Sequence, residues 1–295
     1  MIHKNMSFSE YRKMDGLNAS LLKPYSISPA RGLYKETKEF KKTMAMSLGS
    51  IVHAHILEGK EAAQELINSH YITSGFPVNE STNKPYGETS GKYQDWLKTQ
   101  DPSREVIFPD ILDTTVNNIV KAVSRHPGAV DMLTLAVHRE TAITWICKYT
   151  GKKCKAMVDY FGNRTAGDLK TFGREMTKSS IEREIYDRQY HLQFAFYRDG
   201  LIENGIAVDE FNVIFAGTSE ENDVAACIIN ADTLEAGRNS YLTAIENYNI
   251  AKNCTGSQVG LFPEVIEIGI PNYHLNNDDV DQEEKLIIKQ MMGEL

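Results

Sequence analysis

The 295-residue sequence has few cysteines, no long apolar run and no apolar stretch near its first residue. The four cysteines lack the CxxC spacing of zinc and iron–sulfur sites and are too few for a disulfide scaffold. A membrane helix needs about 20 consecutive apolar residues, which no segment supplies, and residues 1–7 lack the apolar region of a secretory signal. We therefore expect a soluble, cytoplasmic protein that makes no membrane contact.

The composition is that of an ordinary globular protein, with 41% hydrophobic and 24% charged residues. The formal net charge of −8 argues against a polyanionic partner, but the charge is unevenly distributed. Residues 1–50 carry a net charge of +5 and residues 147–199 one of +4, whereas residues 201–295 carry −13. Local basic surface is what a phosphate backbone requires, although these segments also suit solvated faces without a partner.

Hydrophobic periodicity and turn residues predict a mixed order of helices and strands. We expect helices over 18–26, 43–58, 109–126, 180–200 and 232–252, and strands over 137–149, 153–161, 165–171, 211–217, 223–230 and 264–269. Pro127-Gly128 is expected to close one helix, Ser179 and Glu182 to cap another, and 73–92 to form a loop. The order predicts one α/β domain over 1–276, helical over about 1–130 with a mixed-sheet core over about 131–270, then an acidic tail over 277–295.

The most informative stretch is 157–170. A two-residue turn at Gly162-Asn163 would place Phe161 opposite Arg164 and Asp159 opposite Ala166. Because side chains alternate along a strand, Asp159, Asp168 and Lys170 would then share one face, with the two carboxylates as diagonal neighbours. Val158, Tyr160 and Leu169 would point the other way, into a core.

Two neighbouring carboxylates repel each other unless a cation lies between them, and oxygen ligands suit Mg²⁺ or Mn²⁺. Such a metal can activate water, while a lysine orients or deprotonates the attacking water. An exposed hairpin with ordinary surface charges is the alternative, since D-x-K triplets are common.

Two further motifs lie on predicted helices. Gly49 and His53 are four residues apart on one face, where glycine permits close approach and histidine can offer a neutral nitrogen to a metal. Gln193 and Tyr197 are likewise one turn apart, on whichever face packs over the sheet. A structural histidine and an aromatic core stripe are the alternative interpretations.

Together, GxxxH (Gly49, His53), Asp159, D-x-K (Asp168, Lys170) and QxxxY (Gln193, Tyr197) resemble the RecE-like, exonuclease VIII branch of the PD-(D/E)XK nuclease superfamily from phage and prophage recombination systems. The amino-acid sequence around these motifs is also similar, in the segments SLGSIVHAHILE, GDLKT and YHLQFAFYRDG. The resemblance spans about 17–252. It implies a restriction-endonuclease-like core and a Mg²⁺-dependent exonuclease, with Mn²⁺ as a substitute, that degrades linear duplex DNA from 5′ ends and leaves 3′ single strands.

By resemblance, the metal ligands would be His53, Asp159 and Asp168, with the Leu169 carbonyl as a further donor. Lys170 would activate water, Gln193 and Tyr197 would brace the site or contact DNA, and Glu140 would have a supporting role before the first core strand. The resemblance also implies a ring-shaped homo-oligomer that passes DNA to a single-strand annealing protein in a bacterial host.

DNA ends require phosphate contacts independent of sequence. The candidates, each equally compatible with a solvated surface role, are Ser20, Lys23, Arg31, Lys153, Arg164 and Arg174, with Lys35, Lys41, Lys42 and Lys155 nearby. Three other functions stay open: a structure-specific or restriction-like endonuclease, a non-catalytic scaffold that binds DNA ends or an annealing protein, and a hydrolase of a small phosphorylated substrate.

Overall fold

A computed structural model describes residues 1–4, 6–39 and 42–253. The predicted strand over 264–269, the tail over 277–295 and Lys41 lie outside these residues. Within them, the part of the chain before the central strands is mainly helical: α1 (Phe8–Lys13), α2 (Ala19–Tyr25), α3 (Pro29–Thr37), α4 (Met44–His53), α5 (Lys60–His70), α6 (Gly91–Leu97), α7 (Asn117–Arg125) and α8 (Pro127–Thr134). Two π-helical segments, Ala54–Glu58 and Ile111–Val116, continue α4 and precede α7.

Five short strands accompany these helices: β1 (Ile2–His3), β2 (Tyr71–Ile72), β3 (Val78–Asn79), β4 (Lys84–Pro85) and β5 (Glu105–Val106). The longer elements follow as β6 (His138–Ile146), β7 (Lys153–Gly162), β8 (Thr165–Phe172), α9 (Lys178–Asp187), α10 (Tyr190–Glu203), β9 (Glu210–Gly217), β10 (Val224–Ile229) and α11 (Ala231–Asn253). No helix among the described residues is long and apolar enough to cross a membrane.

The central sheet is mixed, with strand order β1-β6-β7-β8-β9-β10. Among the strands that the structure describes, β8 and β9 run parallel in this sheet and the other neighbours run antiparallel. Helices α2, α10 and α11 cover one face over a core that includes Leu22, Phe194 and Phe215, while α4 and α7 cover the other over Ile51 and Ile214. This architecture confirms the predicted α/β class with a central mixed sheet flanked by helices.

Several predicted boundaries were wrong. The helix over 180–200 is two helices, because the chain turns between them at Gln189, whose φ of 53° no α-helix accommodates. The N-cap of α9 is Thr177, paired with Ser180, instead of Ser179 with Glu182. Helix α7 ends at Arg125, before Pro127 as predicted, but Pro127 also begins α8, a position that suits its fixed φ. The expected loop over 73–92 contains the small β3–β4 pair.

The β7–β8 hairpin has a different turn from the predicted one. Asn163 and Arg164 form it, with φ of 47° and 64°, so that Phe161 lies opposite Ala166 and Tyr160 opposite Gly167. The register is therefore displaced by two residues. A displacement by two preserves which face each side chain occupies.

Beyond Tyr160 and Gly167 the two strands stop pairing, and Asp159 and Asp168 are the next residues on each strand. Further along, Leu17 takes the free edge of β7: its N–H donates to the Lys153 carbonyl over 2.9 Å and its carbonyl accepts from Lys155 N–H over 2.8 Å. We call this opening, bounded by Asp159, Asp168 and Leu17, the β7–β8 fork. Helix α2 begins at Ala19, two residues after Leu17, and so enters the fork at its N-terminus.

Candidate active site

Three potential metal ligands converge on one side of the β7–β8 fork. His53 Nδ1 lies 3.6 Å from Glu140 Oε1 and 3.7 Å from Asp159 Oδ2, and one donor atom from each residue lies within 4.8 Å of the other two. Glu140 is inside β6 instead of before it, at the register position opposite Asp159. Its φ of 41° breaks the regular strand there.

Leu169 links this cluster to β8. Its N–H donates to Asp159 Oδ2 over 2.8 Å, and its carbonyl receives His53 Nε2. Because a carbonyl only accepts, Nε2 carries a proton and Nδ1 faces the carboxylates. In the neutral imidazole, Nδ1 then has a free lone pair for a cation, with the Leu169 carbonyl fixing the ring. Metal ligation by that carbonyl stays a prediction.

The electrostatics of the cluster favour a bound cation. Burial lowers the pKa of His53, but the carboxylates of Asp159 and Glu140 outweigh it and raise the pKa to about 9. Burial and the neighbouring Asp168 carboxylate raise the pKa of Asp159 to about 7. A divalent cation would offset this crowding of negative charge.

Asp168 and Lys170 form the other half of the fork. Asp168 is fully buried; its Oδ2 pairs with Lys170 Nζ and its Oδ1 accepts from Gln193 Nε2 over 2.9 Å. Burial lowers the pKa of Lys170, but the negative charges of Asp168 and Asp159 outweigh burial and raise this pKa above its usual range. Lys170 is therefore an ammonium in this arrangement. Asp168 is outside the three-residue cluster, and its ligation of a metal stays a prediction.

Gln193 also accepts a hydrogen bond from a residue of helix α2. Lys23 Nζ donates to Gln193 Oε1 over 2.9 Å and lies 4.7 Å from the centre of the Tyr190 ring. On the same helix, Phe194 and Phe196 are buried, as a core role for aromatic residues predicts. Burial beside Lys170 lowers the pKa of Lys23 to about 7.

A polar cavity of about 410 Å³ opens onto the cluster. Its lining includes the predicted residues Ser20, His53, Glu140, Asp159 and Tyr197. It also includes Arg12 of α1, which the sequence did not single out because one basic residue on a short helix carries no distinctive pattern. A larger cavity of about 630 Å³ lies elsewhere, between α9 and β10.

Most of the predicted phosphate contacts already have protein partners. Lys153 pairs with Asp15, Arg164 with Asp209, and Arg174 with Glu184 and Asp187. Lys155 is buried and donates to three backbone carbonyls of residues 11–14, so its role is structural. Arg31 is exposed on α3, away from the cavity lining. DNA contact by these side chains stays a prediction.

Gly49 lies where α4 approaches β8. A Cβ at Gly49 would be 3.3 Å from Thr171 Oγ1, a tight contact with the strand that carries Asp168 and Lys170. This close approach accounts for glycine in the GxxxH motif: it lets His53 reach the Leu169 carbonyl.

A mixed sheet with an acidic residue opposite a D-x-K strand, flanked by helices, defines the PD-(D/E)XK class of fold. The chain belongs to the family described as "PDDEXK-like domain of unknown function (DUF3799)", which matches residues 7–257. A crystal structure from Eubacterium rectale, described as a "Putative exonuclease", is similar with a TM-score of 0.57 at 13% identity. The match covers 93% of this chain and 99% of that one, and shows the shared fold. No curated protein matches the sequence.

Proposed function

We propose that this protein is a metal-dependent exonuclease of the RecE-like type, which degrades linear duplex DNA from its 5′ ends and leaves 3′ overhangs for strand annealing. The observation that carries the proposal is the convergence of the four motifs. His53, Asp159, the Asp168–Lys170 pair and Gln193 are contributed by separate elements and linked by direct contacts around one fork.

The donor set fits a divalent cation. His53 Nδ1, Glu140 and Asp159 would hold it, and one imidazole with two carboxylates accommodates Mg²⁺ or Mn²⁺. When bound, such a cation lowers the pKa of a coordinated water and stabilises negative charge on a phosphoryl oxygen. Mg²⁺ is the proposed physiological ion.

The protein's own groups supply orientation and charge. Hydrolysis adds water across a P–O bond, and negative charge accumulates on the phosphoryl oxygens as the water attacks. Lys170 Nζ, an ammonium held by Asp168, can donate hydrogen bonds to the attacking water or to a phosphate oxygen. Gln193 fixes the Asp168 carboxylate on its other oxygen, so that Lys170 keeps one position.

DNA would approach through the cavity. Arg12 and Ser20 line its wall and can donate to phosphate oxygens, while Tyr197 lies beside the acidic cluster. The resemblance in sequence extends the proposal to a ring-shaped homo-oligomer and a single-strand annealing protein as partner, in the cytoplasm of a bacterial host.

The test is cleavage of linear duplex DNA labelled separately at each 5′ and 3′ end, beside a closed circular duplex. Wild type, Asp168→Asn and the exposed control Asp95→Asn are each assayed with Mg²⁺ and with EDTA. We expect early release of 5′ label from linear DNA by wild type and the control, and no release by Asp168→Asn or with EDTA. A cut circle would identify an endonuclease, and intact DNA throughout would refute nuclease activity.

A further inference from the structure

Lys23, which the sequence presents as a phosphate contact, has a different place in the structure. It lies on α2, and its ammonium is half-buried between the Gln193 carboxamide and the Tyr190 ring. Lys170 approaches the same ring at 5.2 Å. A side chain engaged in this way has little freedom to follow a DNA backbone.

We propose that Lys23 is a positioning residue that orients the Gln193 carboxamide toward Asp168; the inference rests on the proposed nuclease function of that site. Hydrogen bonds on both sides of the Gln193 carboxamide fix which of its groups faces which partner. Asp168 Oδ1 can only accept, so the Gln193 NH₂ group faces it, and the carboxamide oxygen then needs a donor on its other side. Lys23 is that donor, over 2.9 Å.

Without Lys23, the Gln193 oxygen would lose its donor in a half-buried setting, and the carboxamide could rotate about its last torsion. The Asp168 carboxylate would lose its fixed hydrogen bond, and with it the single position of Lys170. Lys23 thereby connects the helix that enters the β7–β8 fork to the D-x-K strand, through a relay of three side chains.

The placement of α2 makes this relay possible. Asn18 caps the helix by accepting from Leu21 N–H over 3.0 Å, and Leu22 and Tyr25 are fully buried on its inner side. Lys23 follows Leu22 and is thereby directed toward α10, where Gln193 is located. The helix is anchored independently of the Lys23 ammonium, so replacing that group is expected to leave the fold intact.

The test is a double-mutant cycle with Lys23→Met, Gln193→Met and the double variant, with Lys98→Met as an exposed control. Loss of the hydrogen bond between Lys23 and Gln193 predicts that kcat falls about 10- to 100-fold in each single variant. The double variant is expected to be no slower than the slower single variant, because both substitutions break one relay. Lys23→Arg, which keeps a donor, is expected to restore part of kcat.

A phosphate contact would give a different result. Lys23→Met would then raise the Kd for DNA and reduce the slope of log Kd against log salt by about one, leaving kcat unchanged. That outcome would overturn the proposal, as would an unchanged kcat and Kd or losses of kcat that multiply in the double variant.

A second measurement separates this proposal from the proposed function. In metal-free protein, the Gln193 side-chain NH₂ resonances are identified by their loss in Gln193→Met, and their exchange with water is compared in wild type and Lys23→Met. Faster exchange and a changed chemical shift in Lys23→Met support the relay even if the wild type cleaves no DNA. Identical resonances would rule the relay out, whatever the activity.

Discussion

The backbone N–H of Leu169 donates to Asp159 Oδ2 over 2.8 Å, at the point where β7 and β8 cease to pair. A carboxylate thus takes the place of a strand carbonyl as acceptor. The hydrogen bond keeps β8 within reach of β7 while leaving room between the strands for side chains. The fork can therefore hold buried charge without exposing an unpaired backbone donor.

Replacing the D-x-K lysine tests the chemistry most directly. In Lys170→Met we expect at least ~100-fold loss of kcat, because the ammonium that orients water or phosphate is removed. Some loss of stability is also expected, since Asp168 would remain buried without its cation. Single-turnover cleavage and circular dichroism on the same sample separate the two effects. Activity equal to wild type would exclude Lys170 from the site.

Glu140 is expected to matter for metal binding as much as His53 does. We expect Glu140→Gln to weaken Mn²⁺ binding at least ~10-fold, since a carboxylate in the three-residue cluster is lost. Isothermal titration with Mn²⁺ measures this directly, with exposed Glu61→Gln as the matched control. Unchanged affinity in Glu140→Gln would show that the cation is held by other ligands.

The contribution of His53 to the stability of the metal-free protein is expected to fall as pH rises from about 6.5 to 9. The pKa of His53 is raised from 6.5 to about 9 in the fold, so the folded state binds more protons than the unfolded state in this window. Its contribution is fully present below pH 6.5 and lost as pH passes 9, and amounts to at most about 3–4 kcal/mol. Urea unfolding in EDTA across this range measures it. The stability of wild type relative to His53→Gln is expected to fall across this range; a constant difference would refute the assignment.

Glycine is required at position 167 because the Tyr160 side chain on β7 packs directly against it. A Cβ at this position would be 2.2 Å from the Tyr160 ring, which is itself fully buried and cannot retreat. We expect Gly167→Ala to lower the free energy of unfolding by about 1–3 kcal/mol, the usual range for overpacking. Gly87→Ala, which meets no atom within 4 Å, is the control for urea titration. Equal stability of the two variants would contradict the packing.

The sequence was sufficient for the longer strands and for helices α2, α4, α7 and α11, because these follow from local pattern, but it did not predict α1, α3, α5, α6 or α8. Period-two alternation predicted Asp159, Asp168 and Lys170 on one face; in the structure Asp168 pairs with Lys170, whereas Asp159 contacts His53 and the Leu169 N–H. It could not show that Glu140 joins His53, because that contact depends on β6 pairing with β7 and on an unusual φ. Nor could the sequence separate Lys23 from the other basic residues, since the contact between Lys23 and Gln193 spans 170 positions of the chain.

Val158 and Tyr160 were expected to share one core, yet they pack in different cores, because the regular alternation of the strand is lost opposite Glu140.

The entry of α2 into the β7–β8 fork has a consequence for how the protein folds. The hairpin itself is local and can form early, but the site needs Leu17 against Cys154, His53 against Leu169 and Lys23 against Gln193, all distant in sequence. Contacts of such high sequence separation form slowly, because the closure entropy of long loops opposes them. In refolding, we therefore expect the capacity to bind Mn²⁺ to appear after the helical circular dichroism signal has recovered, so that partly folded chains carry no competent nuclease centre.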